Sequence, residues 1–190
     1  MPSVFGYGSL VDVDSLQATI GRPVGAGAGP LPARLAAHRV RWNAARHSSV
    51  TPDVAFTDAA GRPWAGWVVF LGIEPAPGEV AIGVVYRLTD ADLVVLDVRE
   101  RSYDRIDVTS SITGDDGRPP GERVFTYLPK PEARARAAEV GARGTVMGSY
   151  LRRVERGWRA LGAARHVEHR ATIPGHHPFV VEEITRARRG

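Results

Sequence analysis

Two short stretches hold residues whose types and spacing can do chemistry. The first is Val4-Phe5-Gly6-Tyr7-Gly8-Ser9-Leu10. An apolar strand pattern over residues 2–5 ends there in two glycines that bracket one aromatic. The backbone must turn sharply before a helical pattern begins over residues 12–20, with Asp12 or Asp14 placed to cap it. A strand, a glycine turn and a helix start point several backbone N–H groups one way, which makes a nest for a carboxylate or phosphate. Ser9 adds a hydroxyl that donates or accepts, and Tyr7 adds a flat wall. On spacing alone a plain tight turn fits equally well. A dinucleotide fingerprint does not fit, because Val11 stands where its third glycine belongs. No Gly-Lys-Ser/Thr follows for a phosphate loop. Tyr7 occupies the place of the first glycine of a nucleophile elbow around Ser9.

The second stretch is Leu96-Asp97-Val98-Arg99-Glu100-Arg101-Ser102-Tyr103. Glu100 falls at a helix-to-strand junction, where side chains project into clefts. Shielding from water would raise its pKa toward that of a useful general base. A surface ion pair with Arg99 or Arg101 is the plainer alternative.

The elements that position these stretches follow from periodicity. Residues 35–42 read as a strand and 43–50 as an irregular polar segment. Residues 54–56 and 64–72 read as a hairpin about a turn at Ala60-Gly61-Arg62. The run Trp67-Val-Val-Phe-Leu71 reads as buried on both faces. Glu74-Pro-Ala-Pro-Gly78 interrupts the pattern, and residues 80–88 resume it as a central strand. Thr89 or Asp90 caps a helix over 91–99 with Leu93, Leu96 and Val94 inward. Residues 103–112 and 123–128 read as paired strands, 131–140 as a helix, and 144–161 as containing another. Residues 165–183 read as a tail with one strand over 179–184. Strands joined by hairpins come first and helices late. The expected class is therefore α+β, a small, mostly antiparallel sheet or barrel with flanking helices.

Composition limits the function. At 190 residues, 43% hydrophobic and 24% charged, the chain fits one domain, 1–190, with about 185–190 a disordered basic tail. The absence of cysteine removes disulfides and thiol catalysis, and fits a cytoplasmic enzyme. No apolar run is long enough to span a bilayer, and Met1-Pro2-Ser3 leads directly into the first strand, so neither membrane anchor nor signal peptide is expected. The net charge of +4 raises the question of nucleic acid. Lys130 is the only lysine, however, and the arginines are interleaved with acids, so no nucleic-acid partner is expected. His166, His169, His176 and His177 form no convincing ligand set and read as surface histidines, so no metal is expected. Trp42, Trp64, Trp67 and Trp158 read as packing residues. Arg41, Arg46 and His47 read as a solvated loop near the cleft mouth.

Taken together, Val4–Leu10, Gly83-Val-Val-Tyr-Arg-Leu88 and Leu96–Glu100 with Tyr103 and Val108 resemble the γ-glutamylcyclotransferase-like family. Phe125-Thr-Tyr127-Leu and Ser149-Tyr150-Leu151 extend the resemblance over most of the chain in the same order. It implies a small barrel with flanking helices and a cofactor-free reaction turning a γ-glutamyl amide into 5-oxoproline and a free amine. It implies that Phe5, Gly6, Tyr7, Gly8, Ser9 and Leu10 hold the small-molecule γ-glutamyl substrate. Glu100 matches the acid/base, Tyr150 a substrate-contacting tyrosine, and Tyr127 another wall. Two departures leave the leaving group open. Leu10 stands where one branch has asparagine, and Arg101-Ser102 is not the glycine pair of the glutathione-specific branch. The other readings are a non-catalytic protein of this fold binding a small anionic ligand and, more weakly, a nucleic-acid accessory protein. The oligomeric state is left open.

Overall fold

A computed structural model describes residues 1–25, 27–50, 54–173, 175–176 and 178–188. Strand β1 (Ser3–Gly6) is buried throughout. A 3₁₀ turn over Ser9–Val11 follows, then helix α1 (Val13–Ile20). Two long strands, β2 (Leu31–His47) and β4 (Trp67–Arg87), pair antiparallel along most of their length. Between them lies β3 (Val54–Thr57). Helix α2 (Asp90–Arg99) leads into β5 (Tyr103–Asp107), β6 (Ile112–Gly114) and β7 (Val124–Pro129). Helix α3 (Pro131–Val140), β8 (Thr145–Met147), α4 (Gly148–Ala160), α5 (Ala163–Thr172), β9 (Val180–Glu182) and β10 (Thr185–Arg188) complete the chain.

The main sheet runs β5-β7-β1-β4-β2-β6, with β8 attached to β4 and β9 to β8. It curls into a half-barrel, and most of its pairings are antiparallel, as expected for the α+β class. Strand β1 lies in the middle, parallel to β7 and antiparallel to β4. It therefore delivers the Gly6–Leu10 turn from the most buried part of the sheet. Phe5 is fully buried, which stabilises the fold by about 1.5–3 kcal/mol.

Helix α2 begins in a capping box. Thr89 Oγ1 accepts from the Asp92 N–H, and the Asp92 carboxylate accepts from the Thr89 N–H. Leu93 and Leu96 face the core, whereas Val94 is 63% exposed. Helix α4 buries Tyr150, Val154 and Trp158 at fourfold spacing. Arg156 on the same helix pairs with the buried carboxylate of Asp12. Asp12 is therefore an ion-pair partner, and its side chain makes no capping bond to α1.

Several expected elements differ, each because tertiary pairing overrides a local signal. β4 runs straight through Glu74–Gly78. The β2–β4 register jumps there from Ala36↔Val80 to His38↔Pro75, so the proline-rich stretch bulges out of the ladder instead of ending the strand. β2 continues to His47, absorbing the polar residues 43–47 because β4 pairs with them. The hairpin over 54–72 forms only next to its turn, where the Trp64 N–H donates to the Phe56 carbonyl at 2.9 Å and Thr57 bridges Pro63; beyond that β3 pairs with β10 and the Trp67 strand with β2. The expected basic tail is therefore a strand as far as residue 188; residues 189–190 lie outside the described residues. Residues 163–172 form α5 rather than a tail. His169 is buried there, its ring stacked 4.7 Å from that of Trp158. Burial lowers its pKa to about 4. His166 is a partner of Glu155 at 2.6 Å, and His177 lies outside the described residues. Among the described residues no helix is long and apolar enough to cross a membrane, and no group of acidic or histidine side chains is arranged to hold a metal ion.

Candidate active site

The turn after β1, the end of α2, the start of α4 and strand β10 converge on one cleft of about 910 Å³. Phe5, Tyr7, Gly8, Ser9, Leu10, Glu100, Tyr127 and Tyr150 all line it. Of the residues singled out in the sequence, only Gly6 is absent from the lining. Its role is steric, because a Cβ there would lie 2.7 Å from the Leu10 Cβ where the turn folds back. Gly8 faces the cleft, and a Cβ on it would lie 2.9 Å from the Tyr150 hydroxyl. Among the described residues nothing accepts the N–H of Tyr7 or Gly8, which leaves both donors for a ligand.

Glu100 caps the C-terminal end of α2. Its N–H donates to the Leu96 carbonyl at 2.8 Å, and its own carbonyl accepts from the Tyr103 N–H at 2.7 Å. The backbone is thus fixed on both sides of the carboxylate. The side chain is only 15% exposed. Burial raises its pKa, against the opposing pull of the neighbouring Arg99, Arg46 and Arg186. The ion pair with Arg99 exists, at 2.9 Å, but inside the cleft rather than on the surface.

Arg99 is the link between the two stretches picked out in the sequence. Its guanidinium donates to Glu100 and to the Ser9 hydroxyl at 2.9 Å. It also donates to the Thr19 hydroxyl and to the Ser15 carbonyl on α1. Ser9 is consequently tied to the acid through one rigid, planar group.

Four tyrosines complete the interior. Burial raises the pKa of Tyr7, Tyr103, Tyr127 and Tyr150, so all four stay protonated. Tyr7 donates to the Tyr127 carbonyl at 2.6 Å, Tyr127 to Asp97 at 2.9 Å, and Tyr103 to the Leu71 carbonyl at 3.1 Å. Tyr150 instead accepts from the Leu71 N–H at 3.3 Å. Among the described residues no acceptor takes its own proton, which leaves Tyr150 the hydroxyl able to donate to a ligand. Tyr7 and Tyr127 contribute ring surface.

Among the described residues, six arginines line the cleft (Arg46, Arg99, Arg101, Arg153, Arg156 and Arg186) together with the acids Asp14 and Glu100. The field inside favours an anion. The rim on the α2 side is apolar, formed by Val94, Val95 and Val98.

No family model and no curated protein matches the sequence. Solved structures do match. One named a gamma-glutamyl cyclotransferase superposes with a TM-score of 0.52 at 18% identity, over 95% of this chain and 93% of its own. This chain has the γ-glutamylcyclotransferase-like fold. An uncharacterised protein from Homo sapiens matches with a TM-score of 0.52 at 19% identity and the same coverage. YkqA from Bacillus subtilis matches with a TM-score of 0.55 at 18% identity, over 89% of this chain and 52% of its own.

On this γ-glutamylcyclotransferase-like fold, sequence reasoning missed most of the arginines and Tyr103 as cleft residues. Arg46 read as a solvated loop near the cleft mouth and Arg186 as tail, because local patterns carry no signal for the end of the β2–β4 pairing or for the β3–β10 pairing. Tyr103 had a usable signal, since it follows Glu100 by three residues across the junction.

Proposed function

We propose that the protein is a γ-glutamylcyclotransferase-like enzyme that converts a γ-glutamyl amide or peptide into 5-oxoproline and a free amine. The observation that carries this reading is the carboxylate of Glu100, shielded in the cleft, raised in pKa, and linked through Arg99 to the turn after β1. A shielded acid beside anion-binding donors suits intramolecular acyl transfer better than simple ligand capture.

The substrate's α-carboxylate meets the free N–H groups of Tyr7 and Gly8. This curls the glutamyl chain so that its α-amine faces its own γ-carbonyl. Well-oriented intramolecular reactions reach effective molarities on the order of 10⁵–10⁸ M. The neutral α-amine attacks the γ-carbonyl carbon, the new C–N bond closes a five-membered ring, and the carbonyl electrons move onto oxygen. The Tyr150 hydroxyl is the available donor to that oxyanion. Glu100 takes the proton released by the ring nitrogen and returns it to the departing nitrogen as the old C–N bond breaks. Such proton transfer contributes about 10²–10⁴-fold. Electrons and protons balance without a redox partner or a nucleophilic side chain.

The test is 5-oxoproline release from glutathione, γ-glutamyl-alanine and γ-glutamyl-amines by wild type and Glu100→Gln. Turnover lost in a folded variant supports the assignment. Binding without turnover would instead favour the non-catalytic ligand-binding protein, and equal turnover in both proteins would remove Glu100 from the chemistry.

A further inference from the structure

Helix α4 crosses the segment between β1 and α1 at two points. At one, a Cβ on Gly8 would lie 2.9 Å from the Tyr150 hydroxyl. At the other, a Cβ on Gly157 would lie 2.6 Å from the Asp12 backbone nitrogen. Residues 150, 153, 154 and 157 share one face of a helix, so Arg153 stands between these two contacts. It lines the same cleft as Gly8, Ser9 and Tyr150. The proposed cyclisation gives it no task. Neighbouring cations are matched within the protein: Arg99 by Ser9, Ser15, Thr19 and Glu100, and Arg156 by Asp12. Among the described residues Arg153 makes no hydrogen bond and no ion pair. Partial desolvation lowers its pKa and the like charge of Arg99 lowers it further, with Asp12 opposing both. A guanidinium left in this position is matched by a ligand carboxylate.

The turn that α4 crosses says which carboxylate. The free N–H groups of Tyr7 and Gly8 open from that turn, and in the reading above they take the α-carboxylate. Neutral N–H donors leave its charge uncompensated. A guanidinium on the facing helix supplies the opposite charge and two parallel donors. The cyclisation does not touch this group, which is present in 5-oxoproline as it is in the substrate. The contact therefore acts on substrate and product alike, whatever the leaving amine.

Resting on the cyclotransferase reading above, we propose that Arg153 is a substrate-binding residue that pairs with the α-carboxylate of the γ-glutamyl group and keeps that pairing in 5-oxoproline. The experiment titrates 5-oxoproline and its uncharged amide, 5-oxoprolinamide, into wild type, Arg153→Gln, Arg153→Lys and Arg152→Gln, and reads the Kd of each by calorimetry. Wild type is expected to bind the acid about tenfold more tightly than the amide, and Arg153→Gln to bring that ratio toward one. Arg153→Lys recovers part of it, because the charge returns without the planar fork. Arg152 pairs with Glu183 and is absent from the cleft lining, so Arg152→Gln leaves the ratio unchanged. Arg153 is exposed and bonds to no described residue, so its substitution spares the fold. In turnover, Arg153→Gln raises KM about tenfold for γ-glutamyl-alanine and γ-glutamyl-ethylamide alike, with kcat within about twofold of wild type. An acid-to-amide ratio that survives in Arg153→Gln overturns the proposal, as does an equal loss in Arg152→Gln, which would mark a general field effect. A fall in kcat at unchanged KM overturns it too, while the cyclotransferase reading stands. An Arg153-dependent ratio in a protein that releases no 5-oxoproline from any substrate overturns the cyclisation and upholds the carboxylate contact.

Discussion

The two sides of the cleft solve the problem of buried charge in opposite ways. On the side of the β1 turn, positive and negative groups satisfy one another. Arg99 spends its donors on Glu100, Ser9, Thr19 and Ser15, and the hydroxyls of Tyr7 and Tyr127 are committed to protein acceptors. On the side of β10, Arg46 is half-buried with its guanidinium 5.8 Å from the centre of the Phe70 ring, and burial together with the charge of Arg186 lowers its pKa. The first arrangement holds a reactive carboxylate in one geometry. The second gathers cationic side chains beside an aromatic ring, where burial and like charge both work against Arg46. The two sides stand on different elements, the first on the turn after central strand β1 and the second on the end of β2 and the β3–β10 ribbon.

The sharpest way to break this comparison is Glu100→Gln. Activity should fall by about 10²–10⁴-fold on γ-glutamyl-alanine and γ-glutamyl-ethylamide alike. A loss confined to one substrate would mean that the two sides are not separate. The same variant has a stability signature. The folded pKa of Glu100 lies above the ordinary carboxylate value, so its ionisation weakens the fold once the pH exceeds that value. Thermal denaturation should therefore find the glutamine variant at least as stable as wild type at pH 7, with the difference vanishing below about pH 4.5.

Arg99→Met ranks next. Arg99 is the largest influence holding the Glu100 pKa down against burial. Its removal should raise that pKa, move the acid limb of the kcat/KM profile to higher pH, and cost about tenfold near neutrality. A limb that stays in place would show that Arg99 does not tune the acid.

Gly8→Ala has a smaller reach. Its methyl group would meet the Tyr150 hydroxyl and push it from the Leu71 N–H. A drop in kcat of roughly fivefold to tenfold is expected, with substrate preference unchanged. Salt gives the smallest effect. Raising ionic strength should increase KM for γ-glutamyl-alanine and γ-glutamyl-ethylamide alike, by about twofold to threefold, because the arginine-lined cleft is partly open to solvent and the α-carboxylate is common to both.

How much of this was legible beforehand differs by element. β1, the Thr89 cap, α2 with its inward leucines, and the β5–β7 pair are written in local periodicity and capping chemistry. Both site stretches were legible as well, since glycine spacing and an acid at a helix end are local signals. The β4 bulge was not, because proline signals a break unless the partner strand accommodates it. His169 was not, because a histidine on a polar helix shows no burial until Trp158 covers it.

The sequence by itself determined the α+β class, the turn after β1 and the placement of Glu100 at a junction. Each depends on residues within a turn or two of chain. Only the tertiary structure decided that Arg99 joins Ser9 to Glu100, that Tyr150 keeps its proton free, and that Arg46 and Arg186 share a wall. These are meetings between residues 79 to 140 positions apart. Side-chain chemistry states what such residues can do, but long-range strand pairing and helix packing decide which of them meet.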